Sequence, residues 1–118
     1  MVQGRRRRTE GSRATSLGRY ADPAVLLLTS LVDGPKHGYG LLKDIEQFAG
    51  VSLGPGTLYG ALARLEECHL IEALPAEDRR HPYQLTATGA AALADHLASL
   101  EEVTTVGRGR LEVRLALR

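Results

Sequence analysis

The thirteen residues Gly54-Pro55-Gly56-Thr57-Leu58-Tyr59-Gly60-Ala61-Leu62-Ala63-Arg64-Leu65-Glu66 constrain the fold more than any other stretch of the chain. Leu58, Ala61, Leu62 and Leu65 recur at the i, i+3, i+4, i+7 spacing of an amphipathic helix. The opposite face carries Gly56, Gly60 and Ala63, edged by Thr57, Tyr59 and Arg64. An ordinary solvated face would carry Lys and Glu, because Gly in a helix costs roughly 1 kcal/mol against Ala. A bare face lets another surface approach the helix backbone. Hydroxyls and one Arg at its edge suit phosphates and base edges, the needs of a helix lying in a DNA groove.

The 118 residues are enough for one domain, and 43% hydrophobic content with only 4% aromatic residues predicts an aliphatic core. The longest apolar run, Ala24 to Leu28, is far shorter than the roughly 18 residues of a membrane span. No apolar run follows the early Arg cluster closely enough to make a signal peptide, so the expected location is the cytoplasm. Cys68, alone, makes no internal disulfide, in keeping with a reducing compartment. The net charge of +1 is unevenly laid out. Residues 1–20 carry six Arg and one Glu (+5), residues 104–118 four Arg and one Glu (+3), and residues 21–103 five Lys/Arg against twelve Asp/Glu (−7). Basic ends around an acidic body are either polyanion contacts or solvated tails.

Along the chain, residues 1–20 lack periodicity and are expected to form a disordered basic arm. Asp22-Pro23 is an N-cap with Pro at the first helical position, opening a helix to about Val32 that stops at Asp33-Gly34-Pro35. Leu26, Leu27, Leu28, Leu31 and Val32 make it apolar on more than one face, so it is fully buried or has a second partner. A second helix runs from Gly38-Tyr39 to Gly50, with Leu41, Leu42, Ile45 and Phe48 as its inner stripe. The link Val51-Ser52-Leu53 leads to the helix opened by Pro55, which ends near His69; the pair has the form of a helix-turn-helix. Leu70–Leu74 and Tyr83–Leu85 read as strands around a polar turn holding Arg79 and Arg80, a wing. The winged domain thus spans 21–86. Thr86 caps a fourth helix from Ala87 to about Val103, within a dimerisation segment assigned to 87–105. Leu93, Leu97 and Leu100 form a stripe with no obvious partner in their own domain, for which a second copy of the chain is the simplest cover. The 106–118 tail alternates apolar and polar residues and fits a strand, a loose helix or a sticky tail equally.

Taken together, these residues resemble the PadR family of bacterial transcriptional regulators. The matching pieces, in order, are His37-Gly38-Tyr39-Gly40, Pro55-Gly56-Thr57-Leu58-Tyr59, Ala61-Leu62, Arg64-Leu65-Glu66, Leu70-Ile71-Glu72, Arg80, Tyr83, Leu85-Thr86 and Gly89. The resemblance covers about residues 24–100. It implies a mainly α winged helix-turn-helix with a small β-hairpin, a homodimer built through a single C-terminal helix as in the family's short subgroup, and a repressor role. Gly54 stands where the family often has Ser, Gly60 where it often has Pro, and His69 where Gly is common. The wing lacks the family's usual glycines and carries His81-Pro82.

The expected DNA contacts are Pro55, Gly56, Thr57, Tyr59, Gly60 and Arg64 on the third helix, Lys36, Tyr39 and Lys43 at its flank, and Arg79 and Arg80 on the wing. Each has a plainer alternative: Tyr59 packed on the second helix, Tyr39 in a packing role, Arg64 paired with a Glu of its own helix, and the lysines solvated. Cys68-His69 is adjacent rather than at a metal-ligand spacing, and no second pair exists. Gly54-Pro55-Gly56 lacks the Lys-Ser/Thr pair of a P-loop. No metal, cofactor or enzymatic activity is expected. The expected partners are an operator in double-stranded DNA, a second copy and a small hydrophobic effector in a Leu/Val/Ala-lined pocket. Two rival readings of the same layout are a winged helix for protein–protein contact, favoured by the −7 body, and a nonspecific DNA-coating protein, favoured by the Arg-rich ends.

Overall fold

The computed structural model describes residues 22–76 and 78–117. The expected basic arm at 1–20 lies outside the described residues. The elements follow in the order α1 (Pro23–Leu31), α2 (Gly38–Ala49), α3 (Pro55–Glu67), β1 (Ile71–Ala73), β2 (Tyr83–Leu85) and α4 (Ala87–Ala116). Each start has a local cause. The Asp22 carboxylate accepts from the Ala24 amide at 2.8 Å and Pro23 presets the first turn of α1. Pro55 does the same for α3. Gly50 ends α2 in the left-handed conformation at φ 66°.

α1 is the central element. It touches α2, α3, α4 and β2, which accounts for its apolar residues on several faces. Leu26, Leu27, Leu28 and Leu31 pack with Leu41 and Ile45 of α2, with Leu58, Ala61, Leu62 and Leu65 of α3, and with Ile71 and Leu93. Each buried leucine contributes roughly 1.5–3 kcal/mol. Ser30 is buried among them and donates to the Asp44 carboxylate at 2.6 Å, tying α1 to α2 with a satisfied polar group. Phe48 departs from its expected place in the inner stripe. It is 47% exposed, because it sits in the last turn of a twelve-residue helix packed on a nine-residue one.

The wing is an antiparallel hairpin with Ile71 opposite Leu85, Glu72 opposite Gln84 and Ala73 opposite Tyr83. Gln84 donates to Glu72 across the strands at 2.9 Å. A third contact was not legible as a strand. Lys36, in the link after α1, forms an antiparallel bridge with Tyr83, its amide donating to the Tyr83 carbonyl at 3.1 Å and its carbonyl accepting from the Tyr83 amide at 2.9 Å.

α4 is longer than expected, 30 residues where the helix was expected to end near Val103. It runs to Ala116, through most of the segment that alternation leaves undecided at 106–118. The stripe Leu97, Leu100, Thr104, Gly107, Leu111 keeps helical phase across the expected boundary, and no Pro interrupts it. Alternating apolar and polar residues at Leu111–Leu117 hid this continuation. A second correction concerns Leu93. It is 4% exposed, a core residue of its own domain, whereas Leu97 and Leu100 are each 41% exposed. Only the first two turns of α4 belong to the winged domain.

Those turns are seated by Thr86 and Gly89. The Thr86 hydroxyl donates to the His69 carbonyl at 2.8 Å and accepts from the Gly89 amide at 2.9 Å. A β-carbon at Gly89 would stand 2.0 Å from the Leu70 carbonyl oxygen and 2.9 Å from Leu85 Cδ1. Gly89→Ala should therefore destabilise the fold by at least about 1–3 kcal/mol, despite the better helix propensity of Ala. Urea unfolding checks this; an unchanged or higher midpoint would contradict the seating.

Candidate nucleic-acid interface

α3 presents two opposed faces. Leu58, Ala61, Leu62 and Leu65 are buried, and Gly56, Thr57, Tyr59, Gly60, Ala63 and Arg64 are exposed. A β-carbon added at Gly54, Gly56 or Gly60 would meet nothing within 4 Å. None of these three glycines is required by packing against the described residues. Arg64 forms no ion pair among the described residues, so neither Glu66 nor Glu67 neutralises it. The end of α3 is held by a left-handed residue after its last turn. His69 takes φ 61°, its amide donating to the Glu66 carbonyl at 3.0 Å, while the Leu70 amide donates to Leu65 at 3.0 Å. His thus fills a position that favours Gly, at a cost of roughly 1–2 kcal/mol.

Tyr59 packs on the second helix, the plainer alternative, while remaining exposed. It is 56% exposed, and its ring end lies over Gly38, where a β-carbon would stand 2.7 Å from the phenol oxygen. Gly38 therefore makes room for Tyr59 and brings the start of α2 to the edge of the bare face. The neighbouring Tyr39 is exposed, with the Lys43 ammonium 5.8 Å above its ring centroid, one turn on. Such an exposed cation–π contact is worth about 0.5–1 kcal/mol and leaves both groups at the surface.

Lys36 is placed differently from the other flank residues. Its ammonium donates to the Ser30 carbonyl at the end of α1 and to the Asp33 carboxylate at 2.5 Å. It is a structural cap, favourable at the negative end of a helix, rather than a free phosphate contact. The Lys36 hydrogen bond and charge hold the exposed Asp33 carboxyl below its usual 3.8. A depressed carboxyl stabilises the fold above the unfolded value and loses that contribution as pH falls through the folded one. The acid-side loss of stability below about pH 4 should be shallower in Lys36→Met than in the wild type, as read by urea unfolding at stepped pH.

Arg79 and Arg80 are both exposed at the tip of the wing. Asp78 and Arg79 occupy the left-handed region at φ 50° and 68°, conformations that Asn and Gly adopt at least cost. The His81 ring nitrogen Nδ1 lies 3.1 Å from the Leu74 carbonyl, and the Leu74 amide donates to the Pro82 carbonyl at 2.8 Å, so the hairpin is closed below the tip. Behind the wing, burial pushes the Tyr83 phenol up, with Glu66 and Tyr59 adding to the shift. α3, the wing root and the start of α2 thus meet around Tyr59 and Tyr83.

The PadR-like family of transcriptional regulators matches residues 27–95. The chain belongs to that family. A curated relative, described as an uncharacterized 37.1 kDa protein in a transposon of Streptomyces fradiae, is 49% identical over 71 residues; the match covers 60% of this chain and 21% of that protein. Among solved structures, a transcriptional regulator from Clostridium thermocellum superposes with a TM-score of 0.65 at 26% identity, covering 71% of this chain and 84% of its own. A PadR family transcription regulator from Clostridium difficile gives 0.70 at 24% identity, covering 77% and 99%. The family accounts for the mainly helical winged fold and for a role in transcription regulation.

For this PadR-like chain, the open glycines carry a stability consequence. Gly60→Ala should raise stability by about 0.5–1 kcal/mol, since the new methyl meets no neighbour and helix propensity improves. Thermal unfolding measures it; a lower midpoint would mean that the chain itself packs against this face.

Proposed function

We propose that the chain is a homodimeric, sequence-specific DNA-binding repressor that reads a double-stranded operator with the bare face of α3. The observation that carries the reading is the open space at Gly54, Gly56 and Gly60. Each glycine in the body of the helix costs stability and returns nothing to the fold, so its use lies in what approaches from outside. A groove wall and its phosphates fit that face, with Thr57, Tyr59 and Arg64 supplying polar contacts. Arg79 and Arg80 brace the wing against the backbone. Tyr39 and Lys43 flank the groove, and Lys36 is withdrawn from the contact set. A protein-docking winged helix would be expected to offer a larger apolar or aromatic patch here than Tyr59 and the neighbouring Tyr39 provide.

Repression is the role the family resemblance implies, with relief by a small hydrophobic effector. The open cleft of about 320 Å³ between the end of α1 and the start of α4, walled by Leu31, Val32, Pro35, Leu85 and Ala90 together with Gln84 and Thr86, suits a small ligand in size, its lining being part apolar and part polar. The absence of a Trp and the distance of Phe48 along α2 argue for an aliphatic lining without aromatic stacking.

Selection from random DNA, followed by affinity measurements on the selected site and on unrelated sequence, tests the reading. Gly60→Glu should abolish binding while circular dichroism stays that of a folded protein. Arg64→Ala should cost roughly 1–3 kcal/mol on the selected site alone if Arg64 reads a base, and a smaller amount on all sequences if it holds a phosphate. A folded Gly60→Glu protein that binds like the wild type would move the reader away from α3.

A further inference from the structure

The space beside Gly38, the first residue of α2, is filled by the far end of a side chain from α3. A β-carbon at Gly38 would stand 2.7 Å from the Tyr59 phenol oxygen, 3.3 Å from its Cζ and 3.6 Å from Leu58 Cδ2. Gly38 is buried, so a methyl group there would face Tyr59 rather than a molecule approaching from outside. Its backbone is not left-handed, so contact and not conformation bars a side chain. Tyr59 is still 56% exposed and borders the bare face of α3. Its ring is thus lodged at the oxygen end and open along its outer side.

We infer that Gly38 is a positioning residue for DNA reading: lacking a side chain, it lets the Tyr59 oxygen lodge at the start of α2 and fixes the direction in which the Tyr59 hydroxyl donates to a hydrogen-bond acceptor on DNA. The inference rests on the α3 reading above and adds a residue that never meets the nucleic acid. The start of α2 is the positive end of that helix, so the lone pairs of the phenol oxygen turn towards it and the proton turns away. The acceptor is a phosphate oxygen or an acceptor atom on a base edge, both of which the major groove presents. Lodging the ring end against α2 removes side-chain freedom before DNA arrives, so less is lost on binding. A side chain at 38 would force the oxygen back by about 0.7 Å to reach ordinary contact at 3.4 Å. A shift of that size takes the hydroxyl off the short distance and straight angle that a hydrogen bond needs.

Fluorescence anisotropy on a site selected from random DNA and on unrelated DNA compares the wild type with Tyr59→Phe, Gly38→Ala and the double variant. Removing the hydroxyl should weaken binding about tenfold. Gly38→Ala should weaken it by the same factor, with the same preference between the two DNAs, although it changes no atom at the surface. The double variant should bind no more weakly than Tyr59→Phe alone. A loss on the selected site alone places the hydroxyl on a base edge, and an equal loss on both DNAs places it on a phosphate; either supports the inference when Gly38→Ala reproduces it. Circular dichroism and urea unfolding report the fold. If Gly38→Ala unfolds, the double variant, freed of the crowded oxygen, should fold; a double variant that is unfolded too makes Gly38 a packing residue and overturns the inference. A Gly38→Ala protein that binds like the wild type, or losses that multiply to about a hundredfold in the double variant, also overturn it. Tyr59→Phe binding like the wild type while Gly60→Glu does not bind overturns it and leaves the α3 reading intact. A folded Gly60→Glu protein that binds like the wild type overturns both.

Discussion

The Leu70 carbonyl pressed against Gly89 is the contact on which the rest of the molecule depends. Leu70 leaves α3 through the left-handed His69, and Gly89 lies in the first turn of α4. With no side chain at 89 the helix settles onto the strand that leads into the wing, and Thr86 closes the joint by bonding to His69 on one side and Gly89 on the other. The exit of one helix and the entry of another share a single set of backbone groups. The direction in which α4 leaves the domain is therefore tied to the end of α3, within a few residues and without a flexible linker. Any force on the projecting helix is felt first at the end of α3.

Seven of the described glycines fall into two physical kinds. Gly38 and Gly89 are demanded by close neighbours, the Tyr59 ring end and the Leu70 carbonyl. Gly54, Gly56, Gly60, Gly107 and Gly109 meet nothing within 4 Å, and none of them has a left-handed backbone. The first kind is explained by the monomer alone. The second kind lies on two surfaces open to outside partners, the bare face of α3 and the distal part of α4.

Much of this was legible in the residues. The spacing of Leu58, Ala61, Leu62 and Leu65 separated the buried from the exposed face of α3 without error, since a helical period of 3.6 leaves little freedom once a helix is granted. Asp22-Pro23 and Thr86 placed their helices because capping is local chemistry. What escaped was non-local or depended on context. Lys36 is a lysine near the expected interface, and only its position beside the end of α1 converts it into a cap. Its bridge to Tyr83 joins residues far apart in sequence through one peptide unit, with no pattern to announce it. The length of α4 was masked by Gly107, Gly109 and an alternating tail, poor helix formers whose phase nevertheless continues the stripe. Leu93 was grouped with its stripe because periodicity reports a face, not where along that face the domain ends.

That one-residue bridge between Lys36 and Tyr83 has a consequence for how the molecule opens. Two hydrogen bonds join the root of the wing to the link after α1, and the Lys36 side chain reaches back to Ser30. The root cannot detach without disturbing the end of the central helix. The amides of Lys36 and Tyr83 should accordingly exchange with solvent on the timescale of the helical core. Among the described residues no such tie joins the tip around Arg79 to α1, so its amides should exchange faster than those of the root. The wing is thus two cooperative units in one hairpin, a base that melts with the domain and an end that adjusts freely to whatever surface it meets.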